Sequence, residues 1–234
     1  MGRYFPSTQL RTPLIVAECG NNHEGDLPTA MKLLEAAAAS GASLVKFQAG
    51  TAEGFARRAE DIPRYRNYAL PVADYNHLIE RAKEIGIGIF FSVWGNAVGF
   101  EELRSREFLK IGARQFGHYR RFDSEKTFVS VPHDWQGDFP YAKSVPLHCV
   151  SEYPTTNPML DRIWSLANVF NRPVGYSDHT IGIDACIEAA ALGAIVIEKH
   201  FTLAHDFGPL RDHQLSATPE EFKKLIQEVR TLHD

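Results

Sequence analysis

The feature of this chain that most constrains its fold is a repeated alternation of two patterns. Short runs rich in β-branched residues, typical of buried strands, take turns with longer stretches whose apolar residues recur at helical spacing. Repeated βα units of this kind build a parallel sheet. The sequence predicts eight strands, at residues 14–18, 43–47, 88–92, 108–111, 127–130, 145–150, 173–176 and 194–198.

The stretches between these strands decide how the sheet closes. Gly41, Gly86 and Gly193 end three of them, as helix C-terminal caps do. Eight strands with interleaved helices favour a closed (β/α)8 TIM barrel over an open doubly wound sheet, and the chain has the length of about 200–250 residues that such a barrel needs as a single domain, here residues 1–234. Helices are predicted at residues 27–40, 72–86, 159–170, 184–193 and 219–233.

Two stretches depart from the regular pattern. Residues 131–144 contain Pro132, Gly137 and Pro140 and cannot hold an ordinary helix, so the fifth crossover helix is predicted to be shortened or absent. Residues 49–70 are rich in Arg and Tyr and lack clear periodicity. They are interpreted as a loop over the mouth of the barrel, with a solvated loop of no special role as the alternative.

Composition excludes several classes of partner and compartment. With 25 Lys+Arg against 29 Asp+Glu, the chain has no basic surplus for nucleic acid or an anionic membrane. The first residues hold no apolar core of a signal peptide, and no window is long enough to span a bilayer, which predicts a cytoplasmic protein. Three cysteines without a CxxC pair argue against a disulfide framework and against a thiolate zinc site.

Polar residues gather at the predicted C-terminal strand ends, where the active sites of such barrels lie. Because side chains alternate along a strand, Lys46 shares a face with Gln48, and Glu198 shares a face with His200. Lys110 ends the fourth strand. Lysines and carboxylates are seldom buried unless paired, so several that converge predict a binding site.

Two histidines at neighbouring strand ends indicate a metal. His179 and His200, next to Asp178 and Glu198, are predicted to share a divalent ion; the alternative is that both are satisfied core histidines. Imidazole and oxygen ligands suit Mn, Fe, Co or Zn. No HExxH helix, Walker loop, GxSxG elbow or GxGxxG turn follows any strand, which disfavours protease, NTPase, serine-hydrolase and dehydrogenase functions.

Other reactive residues have weaker patterns. Cys149 and His148 lack a sequence pattern that would activate a nucleophile, so they are interpreted as buried structural residues. The basic stretch after the fourth strand either holds an anionic substrate or forms a solvated surface. Its charged members are Arg114, His118, Arg120 and Arg121.

Six strings at these strand ends resemble the sialic acid synthase family, whose members include N-acetylneuraminate, legionaminate and pseudaminate synthases and spore-coat relatives built on a TIM barrel. The similarity runs from about residue 14 to the C-terminus. The strings are AECGNNHEGD (17–26), VKFQ (45–48), LHCVSEYPT (147–155), GYSDHTIG (175–182), EKHFTL (198–203) and SATPEEF (216–222).

The resemblance implies an enzyme that condenses phosphoenolpyruvate with the aldehyde form of a sugar, giving a 2-keto-3-deoxy sugar acid and phosphate. It implies a divalent metal, typically Mn²⁺, held by His179 and His200, and sugar contacts from Glu18 and Tyr153. Asp212 matches an acid that anchors sugar hydroxyls or metal-bound water. Positions on the phosphoenolpyruvate side match Lys46, Lys110, Ser130, Ser151 and Ser177.

Elementary chemistry agrees with that reaction. A phosphate and a carboxylate need cations, for which Lys46, Lys110 and Lys199 are the candidates, and Gln48 lies beside them as a substrate contact. A carboxylate, Glu18 or Glu198, is expected to position or deprotonate the attacking water.

The chain also departs from the family pattern. After Lys110 the family usually has a Ser and an acidic residue, where this chain has Ala113 and Gln115. Family members usually continue into a small antifreeze-like domain, so a short member without it is expected, together with a homodimer because relatives pair through their barrels. An aldolase or isomerase, and a non-catalytic barrel that binds a sugar phosphate, are the alternative functions.

Overall fold

Eight parallel strands form a closed barrel in the order of the sequence, and β1 pairs with both β2 and β8. The structure is a computed structural model that describes residues 12–95, 99–104 and 107–232. The barrel confirms the predicted fold class, and each strand lies within three residues of its predicted place. The strands are β1 (Leu14–Gly20), β2 (Leu44–Gly50), β3 (Gly88–Trp94), β4 (Leu109–Ile111), β5 (Thr127–Pro132), β6 (Val145–Cys149), β7 (Gly175–Asp178) and β8 (Val196–His200).

The helices pack around this barrel, and local sequence signals account for where they begin and end. The Asp26 carboxylate accepts a hydrogen bond from the Thr29 backbone N–H at the start of the first helix. Thr218 and Glu221 form a capping box at the start of the last one. The α-helices of the described residues are α1 (Leu27–Ala39), α2 (Ala52–Phe55), α3 (Ile62–Arg66), α4 (Val72–Ile85), α5 (Phe100–Arg104), α6 (Asp161–Phe170), α7 (Asp184–Ala191), α8 (Asp212–Leu215) and α9 (Pro219–Thr231).

The interior of the barrel is built in two layers. Near the N-terminal ends of the strands, six apolar side chains form one buried cluster that closes the base of the barrel. Two residues further along several of these strands, the same inward face carries polar side chains, because successive side chains alternate. The apolar cluster consists of Val16, Leu44, Phe90, Phe128, Leu147 and Val196.

The irregular crossovers follow the predictions in part. Residues 133–144 hold no helix, as Pro132, Gly137 and Pro140 predicted. The Asp123 carboxylate accepts hydrogen bonds from the backbone N–H groups of residues 142–144 and thereby fixes this non-helical segment. The fourth crossover is also irregular, which was not predicted: short 3₁₀ turns, Ala113–Gln115 and Arg120–Phe122, stand in place of a helix.

Residues 49–70 are more ordered than the predicted loop. Strand β2 extends to Gly50, and the two short helices α2 and α3 follow. The sequence of this segment shows no helical period because each helix is only about one turn long.

Two further expectations concern cysteines and membranes. Cys19, Cys149 and Cys186 are all buried and none of them forms a disulfide. No helix in the described ranges is long and apolar enough to cross a bilayer.

We expect the apolar cluster to be a major source of stability. Leu147 is fully buried there, so Leu147→Ala should lower the free energy of unfolding by about 2–5 kcal/mol, the usual cost of such a cavity. Leu232→Ala, at a position that is 45% exposed, is the matched control. Urea unfolding measures both, and equal effects would contradict the assignment of this layer as the core of the barrel.

Candidate active site

A cavity of about 360 Å³ opens above the polar layer, at the C-terminal ends of the strands. It brings together twelve of the thirteen residues that the sequence singled out, and Lys199 is the exception. Side chains from segment 49–70 and from the loops after β4 and β8 also line it. The twelve are Glu18, Lys46, Gln48, Lys110, Ser130, Ser151, Tyr153, Ser177, His179, Glu198, His200 and Asp212.

Strand register explains why these residues meet. Glu18 on β1 lies opposite Lys46 on β2 and opposite His200 on β8. Ser177 on β7 lies opposite Glu198 on β8. Residues that share a register position in adjacent parallel strands project from the same face, so these side chains all lie on the inward face of the barrel.

Four charged side chains form a buried cluster at the bottom of the cavity. The Lys110 ammonium lies 2.5 Å from Glu198 Oε1, and Lys46 contacts both Glu18 and, at 3.1 Å, Glu198 Oε2. Ser177 Oγ donates a hydrogen bond of 2.7 Å to Glu198 Oε1. Each of the four charged residues is at most 4% exposed. The amino groups of two lysines and the carboxyl groups of two glutamates therefore contact each other away from bulk water.

The pKa values of this cluster reflect burial and mutual attraction. Burial on its own would raise the pKa of Glu198, but Lys110 and then Lys46 outweigh it and hold that pKa well below its ordinary value. Burial lowers the pKa of Lys46 to about 7, although Glu198 opposes the shift. Glu198 is consequently a carboxylate at neutral pH and a poor proton acceptor.

The two histidines lie side by side, with ring centroids 5.4 Å apart. His179 Nδ1 donates a 2.6 Å hydrogen bond to the Val150 carbonyl oxygen, which leaves the lone pair of Nε2 available. His200 Nδ1 is buried and has no hydrogen-bond partner in the described chain. Burial, reinforced by His179, lowers the pKa of His200 well below its ordinary value, so this imidazole is neutral.

This donor set fits a divalent cation in part. Metal ligation requires a neutral imidazole with an available nitrogen, and His200 meets this requirement. His179 meets it less well, because the Cys149 thiol outweighs burial and raises the pKa of His179. In residues 12–95, 99–104 and 107–232, no group of three or more His, Cys, Asp or Glu side chains is arranged to hold a metal. The two histidines therefore need water or substrate oxygens to complete a coordination shell.

Three comparisons with known proteins bear on this site. A profile of the NeuB family matches residues 141–234. N,N'-diacetyllegionaminic acid synthases from Campylobacter jejuni and Legionella pneumophila are 32% and 30% identical to this chain, over 95% and 96% of it and 77% and 73% of their own lengths. The crystal structure of an N-acetylneuraminic acid synthetase from Leptospira borgpetersenii in complex with citrate superposes with a TM-score of 0.87 at 27% identity, covering 96% of this chain and 85% of that one.

The chain belongs to the NeuB family. The members named above are synthases of sialic-acid-like sugars. The family resemblance that the sequence motifs at the strand ends indicated is thereby confirmed.

Ala113 and Gln115, the two residues after β4 that the sequence analysis identified as unusual, have different environments. Ala113, where the resemblance leads us to expect a Ser, lines the cavity with a methyl group. Gln115 is buried, and its side-chain amide donates a 2.8 Å hydrogen bond to the Val93 carbonyl oxygen. Its side chain therefore serves the backbone of β3.

Lys199 does not join the cavity. Its ammonium contacts Asp178 and the Thr180 carbonyl oxygen, each at 2.6 Å, and the residue is fully buried. Strand alternation explains the placement, because Lys199 lies between the inward-facing Glu198 and His200 and points to the outside of the barrel. The expectation that it supplies a third cation to the site does not agree with this position.

His148 and Cys149 of β6, both interpreted from the sequence as structural residues, have different surroundings. His148 Nε2 hydrogen-bonds the Pro158 carbonyl oxygen at 2.8 Å, which supports its reading as a structural histidine. Cys149 is buried, but its Sγ lies in the cavity wall, 3.8 Å from His179 Nδ1.

Sequence reasoning missed most of the arginines at the cavity mouth. Arg57, Arg58 and Arg64 come from segment 49–70, and Arg211 precedes Asp212. Arg114, for which the sequence leaves open an anion contact or a solvated surface, also lines the cavity. The one available signal was the Arg-rich composition of a segment already expected to cover the mouth.

We expect the buried charge cluster to be tightly coupled to stability. Glu198→Gln removes the carboxylate that both lysines contact, so it should lower the free energy of unfolding by about 3–5 kcal/mol, the cost of an uncompensated buried charge. Glu188→Gln on the exposed side of α7 is the matched control and should stay within about 0.5 kcal/mol. Chemical denaturation decides, and a Glu198→Gln protein as stable as the control would show that the cluster is not a desolvated ion-pair network.

Proposed function

We propose that this chain condenses phosphoenolpyruvate with the aldehyde form of a sugar, giving a 2-keto-3-deoxy sugar acid and phosphate. The observation that carries the proposal is the joint placement of the Lys46, Lys110 and Glu198 cluster and the His179–His200 pair in one cavity of a NeuB-family barrel. The curated relatives are synthases of sugar acids of this kind.

Phosphoenolpyruvate is proposed to bind at the bottom of the cavity. Lys46 and Lys110 supply the positive charges, and the hydroxyls of Ser130, Ser151 and Ser177 supply neutral donors. Anions gain most from donors that are already fixed and desolvated, as these lysines are. Ala113 removes one hydroxyl from this set, so the site depends more strongly on its two lysines.

The sugar aldehyde is proposed to lie above phosphoenolpyruvate, against Tyr153, Gln48 and Asp212. Tyr153 packs on the His179 ring with centroids 4.0 Å apart, which brings the aldehyde close to both histidines. A divalent ion bound by His179 and His200, with Mn²⁺ the first candidate, would polarise the aldehyde oxygen when present.

The reaction then needs one new carbon–carbon bond and one water. The enol carbon of phosphoenolpyruvate bonds to the aldehyde carbon, and the aldehyde oxygen takes up a proton. Water adds to the electron-poor carbon that carries the phosphate and gives a proton to a carboxylate. Phosphate leaves with its bridging oxygen as the remaining hydroxyl loses its proton and the keto group forms.

Glu18 is the better candidate for the carboxylate that accepts the water proton. Its Oε2 forms an ion pair with Lys46 alone, and its Oε1 is buried without a hydrogen-bond donor among the described residues. Glu198 is held by Lys46, Lys110 and Ser177 together. A base must be free to take a proton, which favours Glu18.

The deciding experiment measures phosphate release from phosphoenolpyruvate in the presence of Mn²⁺ and a panel of aldoses. Release that requires an aldehyde supports the proposal. Metal or sugar binding without turnover would instead indicate a non-catalytic barrel, and an aldehyde product without phosphate release would indicate an aldolase or isomerase.

Lys110→Ala tests where phosphoenolpyruvate binds. Loss of one desolvated charge partner should raise the KM for phosphoenolpyruvate at least about a hundredfold and change the KM for the aldehyde much less. Lys224→Ala, on the exposed face of α9, should leave both values unchanged. Circular dichroism verifies that the variants are folded. Equal, small effects on both substrates would mean that the phosphate binds elsewhere.

The metal site is tested by composition as well as by activity. Protein loaded with Mn²⁺ and desalted should lose bound metal in the His179→Ala and His200→Ala variants, measured by elemental analysis. His77→Ala, on the exposed face of α4, is the control and should keep the wild-type metal content. Full occupancy in both site variants would refute the assignment.

A further inference from the structure

A buried ion pair lies on the outer face of the barrel, next to the two histidines, and it has no part in the proposed reaction. It consists of Asp178, the last residue of β7, and Lys199 on β8, and it is called the outer ion pair. The Lys199 ammonium lies 2.6 Å from Asp178 Oδ2, and both side chains are fully buried. The two residues lie opposite each other in the register of β7 and β8, so the pair joins these strands at their C-terminal ends.

Charged side chains at these outward positions contrast with the outer face of the neighbouring strands. Ala17 precedes Glu18 on β1, Phe47 follows Lys46 on β2, and both of these outward residues belong to the main apolar core. A buried ion pair adds little stability compared with apolar side chains that fill the same space, because each ion loses its hydration. The charges at positions 178 and 199 therefore need an explanation other than general stability.

The contacts of the outer ion pair fix the backbone on both sides of His179. Asp178 Oδ1 accepts hydrogen bonds from the Thr180 backbone N–H at 3.1 Å and from the Tyr176 hydroxyl at 2.7 Å. The Lys199 ammonium donates to the Thr180 carbonyl oxygen and to Asp178 Oδ2, each at 2.6 Å. His179 thus lies between two residues that are both bound to Lys199.

The same ammonium belongs to the strand that ends at His200. Lys199 and His200 are consecutive residues of β8, so the contacts of Lys199 connect residues 178–180 to the end of that strand. Because side chains alternate along a strand, the outer ion pair points outward while both histidines point into the cavity. The relative position of the two imidazoles, whose ring centroids are 5.4 Å apart, is therefore fixed from the outer face.

We propose that Asp178 and Lys199 are positioning residues, which hold His179 and His200 at the spacing needed to share one divalent cation. This inference rests on the proposed function for the metal that the histidines bind. Two protein ligands leave much of a coordination shell to water or substrate, so the affinity for the ion depends on how well the two are fixed before it binds. Loss of residues that orient metal ligands typically weakens metal binding by about tenfold to a hundredfold.

Mn²⁺ binding without turnover tests this role. The double variant Asp178→Asn with Lys199→Met removes both charges and leaves no buried ion unpaired. It should bind Mn²⁺ about tenfold to a hundredfold more weakly than the wild-type protein, measured by EPR titration of free Mn²⁺. Leu147→Ala is the matched control, because it should destabilise the base of the barrel and leave the Mn²⁺ affinity unchanged. Circular dichroism verifies that each variant is folded at the temperature of the titration.

Two further measurements separate positioning from a merely structural role. Asp178→Asn alone keeps the shape of the outer ion pair and weakens its attraction, so it should lose less Mn²⁺ affinity than the double variant but more than Leu147→Ala. This single variant also decides the question if the double variant does not fold. Pulsed EPR of bound Mn²⁺ should detect imidazole nitrogens from both histidines in the wild-type protein and from one histidine in the double variant.

The outer ion pair and the proposed reaction fail in distinguishable ways. A double variant that binds Mn²⁺ as tightly as the wild-type protein, with both nitrogen couplings intact, would overturn the inference. So would Mn²⁺ binding that survives in both His179→Ala and His200→Ala, because the histidines would then not be the ligands. If the double variant loses Mn²⁺ as expected but no aldehyde releases phosphate from phosphoenolpyruvate, the positioning role stands and the proposed reaction is wrong.

Discussion

The site depends on one carboxylate, Glu198, that contacts two ammonium groups inside a closed barrel. Lys46 and Lys110 lie on β2 and β4, and Glu198 lies on β8, so the contacts cross the interior of the barrel. Two buried lysines would otherwise repel each other and lose their hydration. The contacts with Glu198 therefore allow two lysines to be buried at the bottom of the cavity. They also fix the positions at which the two lysines can contact an anion.

Much of this arrangement was predictable because both the fold and the site follow from strand periodicity. Apolar runs located the eight strands, and polar residues at their C-terminal ends indicated the cavity. Alternation also explains the one misplaced residue. Lys199 was grouped with Lys46 and Lys110 by its charge, although its neighbours Glu198 and His200 already occupied the inward face of β8 and so required it to point outward.

The parts that were not predicted depend on loops, where no period relates sequence to structure. Helices α2 and α3 are too short to display a helical period. The segment after β4 also holds no ordinary helix, but it contains no proline like those that identified the irregular segment after β5. Arg57, Arg64 and Arg211 reach the same opening from segments far apart in the chain. Such convergence depends on the tertiary path of each loop, which local sequence does not specify.

The sealed base of the barrel has a kinetic consequence. Val16, Phe90 and Leu147 belong to a layer of buried apolar side chains beneath the charged cluster, so molecules have no passage through that end. The opening beside Tyr153 is then the common route for both substrates under the proposed reaction. A compound that occupies the deeper position must enter before the one above it, and the upper product must leave first. The barrel would impose a fixed order of addition and release without any moving part.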